Sequence, residues 1–183
     1  TGQGQYIDLS QAEAALHLMA PALLEYSVNG NIWERSGNRD FVFAPQGGYP
    51  TSGNDNWIAI SCKDDNQWQL LAHEMNREDL VALTVDERHT RHDELDSVIS
   101  AWTVEQDGVE LMEQLQVLGV AAHIVQHSPE LVADDQMTHR GCFVEVAHAS
   151  HEPFYVDGTR FHMSRTPAQV THAGPIFGEH TFE

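Results

Sequence analysis

The sequence predicts an α/β fold of helices and short strands on three observations. Apolar residues recur at helical spacing in several segments, as in residues 95–102. Short β-patterned runs alternate with them, namely NWIAISC (56–62), VAAHIVQ (120–126) and GCFVEVAH (141–148). A stretch rich in Gly, Pro, Asn and Ser, residues 30–56, separates the first helix from everything that follows and reads as a domain boundary.

Taken in order, QYIDLS (5–10) alternates like a strand, and Ser10 with Glu13 forms the signature of a capping box. The helix that follows runs to Asn29 through Ala15, Leu16, Met19, Leu23 and Leu24, with Pro21 as a kink and Asn29-Gly30 as its stop. One strand and one helix cannot close a domain, so residues 1–29 need further partners. A short strand is expected at Gly48–Ser52 and another at 56–62, then a helix capped by Asp64 or Asp65 that buries Trp68, Leu71 and Met75. A short helix at Glu78–Leu83 precedes one from Val85 to Glu105, whose stripe is Leu95, Val98, Ile99 and Trp102. Leu111, Met112, Leu115 and Leu118 mark a further helix ending at Gly119. After the strand at 120–126, Ser128-Pro129 opens a short helix to Asp135. Strands at 141–148, 153–157 and 160–163 make a small antiparallel sheet, the last two joined at Asp157-Gly158, and the tail beyond Ser164 is extended.

Charge narrows the function. The chain has 183 residues, 41% of them hydrophobic, enough for an apolar core, and its 9 Lys+Arg against 28 Asp+Glu give a net charge of -19. Lys63 is the single lysine, and the arginines are scattered among acids, which excludes a phosphate-neutralising surface and hence nucleic acid as a partner. So acidic a surface suits high salt, which screens self-repulsion. The longest apolar stretch, within 14–24, is interrupted by His17 and Pro21 and is too short for a membrane span, and TGQGQYIDLS lacks the features of a secretory signal. Cys62 and Cys142 sit in apolar runs and read as reduced core thiols, so a cytoplasmic location is expected.

The local chemistry is sparse. His89/His92 and His148/His151 are close pairs without a third ligand, and His73-Glu74 lacks a second histidine, so no metal is expected. TGQGQ precedes its strand and is not a dinucleotide loop. Asp64-Asp65, Asp93-Glu94 and Asp134-Asp135 read as helix caps and solvated faces. Gly47-Gly48 beside Tyr49 is the strongest local candidate, because glycines let backbone N–H groups approach a ligand, although an ordinary turn explains them too.

Seven phrases together resemble the family III CoA-transferases, the CaiB/BaiF group that also includes alpha-methylacyl-CoA racemase: TGQGQYIDLSQAEA (1–14), RSGNRDFVFAPQGGYPTSGNDNWIAI (35–60), RHDELDSVISAW (91–102), LGVAAHIVQ (118–126), HRGCFVEV (139–146), FHMSRTP (161–167) and GEHT (178–181). The resemblance implies a chain more than twice as long, whose large Rossmann-like domain is built from both ends, and a homodimer of two interlocked rings. On that map residues 1–40 are the end of the large domain and a linker helix, 41–141 the small α+β domain, and 142–183 the return linker. This chain would be an internal-to-C-terminal fragment.

The activity so implied is transfer of CoA from an acyl-CoA donor to a carboxylic acid acceptor, with the CoA thioester a substrate and no cofactor held. An aspartate attacks the thioester to give an anhydride and then an aspartyl-CoA thioester. That aspartate is expected upstream of Thr1, and Asp8 matches the strand after it, so no catalytic residue is assigned here. The family's glycine-rich loop corresponds to Gly37–Gly48, and the resemblance implies Gly37, Asn38, Gly47, Gly48, Tyr49 and Asp64 as the substrate-binding candidates. APQGG departs from the continuous glycine run of the formyl-CoA transferase form. Asp64 matches a racemase glutamate, and its shorter side chain favours a transferase. A CoA-ester racemase and a non-catalytic binding module are the alternatives.

Overall fold

The structure, a computed structural model, describes residues 2–179 and Thr181. Thr1 and the His180 of GEHT therefore lie outside the described residues.

Mixed helices and small antiparallel sheets make up the α/β architecture, in the order α1 (Gln11–Leu18), α2 (Ala20–Asn29), β1 (Gln46–Pro50), β2 (Trp57–Ser61), α3 (Asp65–Glu74), α4 (Val85–Thr90), α5 (His92–Thr103), α6 (Gly108–Leu118), β3 (Ala121–Ile124), α7 (Ser128–Ala133), α8 (Asp135–His139), β4 (Phe143–Val146) and β5 (Phe154–Asp157). One sheet has the order β1-β2-β3 and the other pairs β4 with β5, all antiparallel.

The three-stranded sheet buries one face. In β2, Ile58 and Ile60 point into the core while Trp57 and Ala59 point out, as the two-residue period of a strand requires. Tyr49 opposite Ile58 and Ala122 opposite Ile60 complete the inner face. Against it lie Trp68, Leu71 and Met75 of the α3 segment, Leu95 and Ile99 of α5, and Leu111 and Leu115 of α6. Each large side chain so enclosed contributes about 1.5–3 kcal/mol of burial. Val98 and Trp102 flank this core half-buried, so the helical stripe read at 95–102 is the packing face of α5.

Six expectations need correction. Residues 5–10 are exposed and form no strand, because an extended segment without a ladder partner among the described residues leaves its backbone to solvent. The helix at 11–29 is interrupted at Met19 (φ -87°, ψ 12°), since Pro21 has no N–H to give the carbonyl of His17. Residues 78–83 form successive turns, Leu80 N to Arg77 O and Leu83 N to Leu80 O. The Leu80 carbonyl accepts from the Trp68 indole at 2.8 Å, where a helix would use it internally.

The helix at 85–105 is likewise two, parted at Arg91 (φ -103°, ψ 20°), with Arg88 buried before the break and His92, Leu95, Ile99 and Thr103 after it. Residues 160–163 are not a strand. Gly158 N and Arg160 Nη1 both donate to the Cys142 carbonyl, folding this segment onto the start of β4 instead of beside β5, and a Cβ on Gly158 would stand 2.5 Å from the Gly141 oxygen. Lastly, Cys62 is a buried free thiol as read, but Cys142, also free, is only half-buried and lies outside the core.

Smaller shifts concern ends. β1 begins two residues earlier than expected, His127 and not Ser128 precedes the first turn of α7, and α8 is a separate helix whose Met137 N–H donates to the Asp134 side chain.

Candidate functional site

The segment from Gly37 to Gly48 is irregular over residues 37–45, while Gln46, Gly47 and Gly48 are already the first residues of β1, the edge strand beside α5, so Gly47 and Gly48 lie in a strand paired to β2 and not in a loop. It starts with a turn in which Arg39 N donates to Ser36 O at 3.2 Å, and Gly37 at φ +63° takes the left-handed position that glycine adopts without a Cβ penalty. Asp40 then accepts from Val42 N at 2.7 Å and Phe43 N at 3.0 Å, and these two donors hold its carboxyl below the ordinary range. Trp33 and Phe41 meet with ring centroids 5.5 Å apart.

At its far end the loop is fixed through main-chain carbonyls. Ala44 O accepts from Arg88 Nε at 2.6 Å, and Pro45 O accepts from Cys62 N at 3.0 Å. Arg88 is wholly buried, and its Nη1 also donates to Asp65 and to Leu83 O. Gln46 Nε2 reaches back to Asn38 O at 2.9 Å, closing the loop on itself.

The two glycines differ in what they face. A Cβ on Gly47 would stand 2.9 Å from the Tyr49 ring, which lies over it on the inner face of β1. Gly48 faces the other way, and a Cβ there would meet only the Asn38 amide at 3.8 Å. Tyr49 is buried, and its hydroxyl donates to Asp96 Oδ1 at 3.0 Å. Burial, reinforced by the Asp96 charge and this bond, raises the phenol's pKa.

Asp96 has a second partner, Arg39, whose Nη2 donates to Oδ2 at 3.0 Å and also contacts Asp93. Those two carboxylates raise the Arg39 pKa, and Arg39 in turn lowers that of Asp93. His92 Nδ1 sits 3.4 Å from the same Oδ2, and neither nitrogen of this buried ring has a hydrogen-bond partner among the described residues.

Of the candidates read from the sequence, Gly37, Asn38, Gly47, Gly48 and Tyr49 thus belong to one loop-and-strand unit. Asp64 caps α3, accepting from Gln67 N at 2.9 Å, while its neighbour Asp65 is tied to the loop through Arg88. Arg39, Arg88, His92 and Asp96 were missed. The available signal was that Arg88 and His92 extend the apolar stripe of Leu95 and Ile99 backwards at helical spacing, on the buried side.

No set of three or more potential metal-ligating side chains comes together among the described residues, and no helix there is long and apolar enough to cross a membrane. His148 and His151 stack on each other with centroids 4.8 Å apart.

A family model described as CoA-transferase family III matches residues 1–181. The chain is 29% identical to the succinyl-CoA–D-citramalate CoA-transferase of Chloroflexus aurantiacus, covering 100% of this chain and 46% of that one. It is 26% identical to the succinyl-CoA:mesaconate CoA-transferase of Haloarcula marismortui with the same coverage. The chain spans about half the length of these curated relatives. Among solved structures, a CAIB/BAIF family protein from Brucella suis superposes with a TM-score of 0.82 at 22% identity, over 98% of this chain and 47% of that one, and shares the fold. By a match that runs from residue 1 to residue 181, the chain belongs to CoA-transferase family III.

Proposed function

We propose that these residues serve a CoA-transferase that moves CoA from an acyl-CoA donor to a carboxylic acid, through an aspartyl-CoA intermediate on an aspartate outside this chain. The observation that carries the reading is the family match over residues 1–181, together with relatives named as transferases. Their names point to succinyl-CoA as the donor class and to dicarboxylic acids as acceptors. The CoA thioester is substrate, and no resident cofactor is required.

Residues 41–141 act as the small domain, between a linker at 1–40 and a return linker at 142–183. In this reading the loop Gly37–Gly48 covers the acyl group, with Gly37, Asn38, Gly47, Gly48 and Tyr49 shaping that side of the site and Asp64 at its margin. The working unit is a homodimer in the cytoplasm. Exposed Leu16 of α1, Leu23 and Leu24 of α2 and Met19 between them support a partner surface there.

The test incubates the protein as its gene encodes it with succinyl-CoA and citramalate, malate or mesaconate, separating acyl-CoA species by chromatography. New acyl-CoA formed as succinyl-CoA disappears, without release of free CoA, is the expected result. Alpha-proton exchange of a 2-methylacyl-CoA in deuterated water, with no acid exchange, would replace the reading by a racemase. Residues 1–183 alone should show no transfer, and turnover by that chain would refute the placement of the nucleophile.

A further inference from the structure

Both ends of the Gly37–Gly48 loop converge on one carboxylate of a neighbouring helix. Arg39, two residues past Gly37, donates to Asp96 Oδ2 at 3.0 Å, and Tyr49, one residue past Gly48, donates to Oδ1 at 3.0 Å. We infer that Asp96 is the positioning residue that clamps the two ends of this loop to α5 and so sets the shape of the loop over the acyl site. The inference rests on the proposed CoA-transfer for its meaning, but the clamp itself is local geometry.

Asp96 is suited to this and its neighbour Asp93 is not. The Asp93 side chain is 92% exposed and, among the described residues, bonds only to Arg39, so solvent screens that pair. The Asp96 side chain is 31% exposed and, among the described residues, is the group bonded to both Arg39 and Tyr49. The Tyr49 ring is in turn wedged over Gly47, so the position of its hydroxyl fixes the strand backbone at that glycine. Gln46 to Asn38 adds a direct tie between the ends, which the carboxylate holds against the helix.

Hydrogen–deuterium exchange on the gene-encoded protein, without substrate, tests the clamp. Asp96→Ala should speed exchange in residues 38–43 and 46–50 about tenfold, leaving α6 (108–118) as in the wild type. Tyr49→Phe, which keeps the ring and loses the hydroxyl, should loosen 46–50 alone, and Asp93→Asn should loosen neither. Wild-type exchange at 38–43 in Asp96→Ala, or equal acceleration in α6, overturns the clamp.

Kinetics separates positioning from mere loss of fold. Asp96→Ala should raise KM for the acceptor acid and lower kcat, each about tenfold, whereas a smaller folded fraction lowers kcat alone. An unchanged KM beside loosened exchange overturns the role of the clamp in the acyl site. A wild-type protein that transfers no CoA sinks the functional reading, while the exchange result still judges the clamp.

Discussion

Arg88, with no exposed surface, donates through Nε to the carbonyl of Ala44 at 2.6 Å, across 44 positions of sequence. Its Nη1 holds Leu83 O and Asp65 as well, and its guanidinium lies 5.8 Å from the Trp68 ring centroid. One side chain therefore joins the end of the glycine-bearing loop, the turn before α4 and the start of α3.

Replacing Arg88 by Leu orphans two carbonyls at about 1–3 kcal/mol each, so urea unfolding should reveal a loss of about 3 kcal/mol. Arg88→Lys should recover less than half of it, because a single ammonium lacks the fork that reaches three acceptors. A Leu variant as stable as the wild type would disprove this bridging role.

Gly47 and Gly48 should respond differently to the same methyl group. A Cβ at 47 stands 2.9 Å from the buried Tyr49 ring, and Gly47→Ala should cost about 1–3 kcal/mol, as overpacking does. At 48 the nearest atom is 3.8 Å away, and Gly48→Ala should leave thermal stability within about 0.5 kcal/mol. Equal melting temperatures for the two variants would contradict the ring-over-glycine arrangement.

Burial pushes the Cys62 thiol from 9.0 to about 12. Below pH 9 both folded and unfolded chains keep the proton. Above it the unfolded chain loses its proton first, so this group's contribution to stability falls as pH rises toward 12. At pH 8 a thiol reagent should modify half-buried Cys142 first and reach Cys62 only after denaturation. Rapid modification of both cysteines in the native protein would contradict the buried site, and Cys62→Ala should flatten the alkaline part of the stability curve.

A net charge of -19 on 183 residues repels itself, so neutral salt should raise the melting temperature. The comparison is potassium chloride at low and at molar concentration. A melting point indifferent to salt would show that self-repulsion does not limit stability.

Much of this molecule is legible in its sequence because the relevant forces are local. The period-two pattern of WIAIS, the helical stripe at Leu95, Val98, Ile99 and Trp102, the Asp64 cap and the left-handed stops at Gly30 and Gly119 follow from neighbours within a turn or a strand. Family phrases added the glycine-bearing loop and its candidates. Tertiary structure alone decided the rest. The turns at 78–83 and the return of Gly158–Arg160 onto Cys142 each depend on a side chain or carbonyl distant in sequence. Asp96 reads as one more surface acid on α5 until the fold brings Arg39 and Tyr49 to its two oxygens, since a contact spanning 47 or 57 residues leaves no periodic mark on the chain.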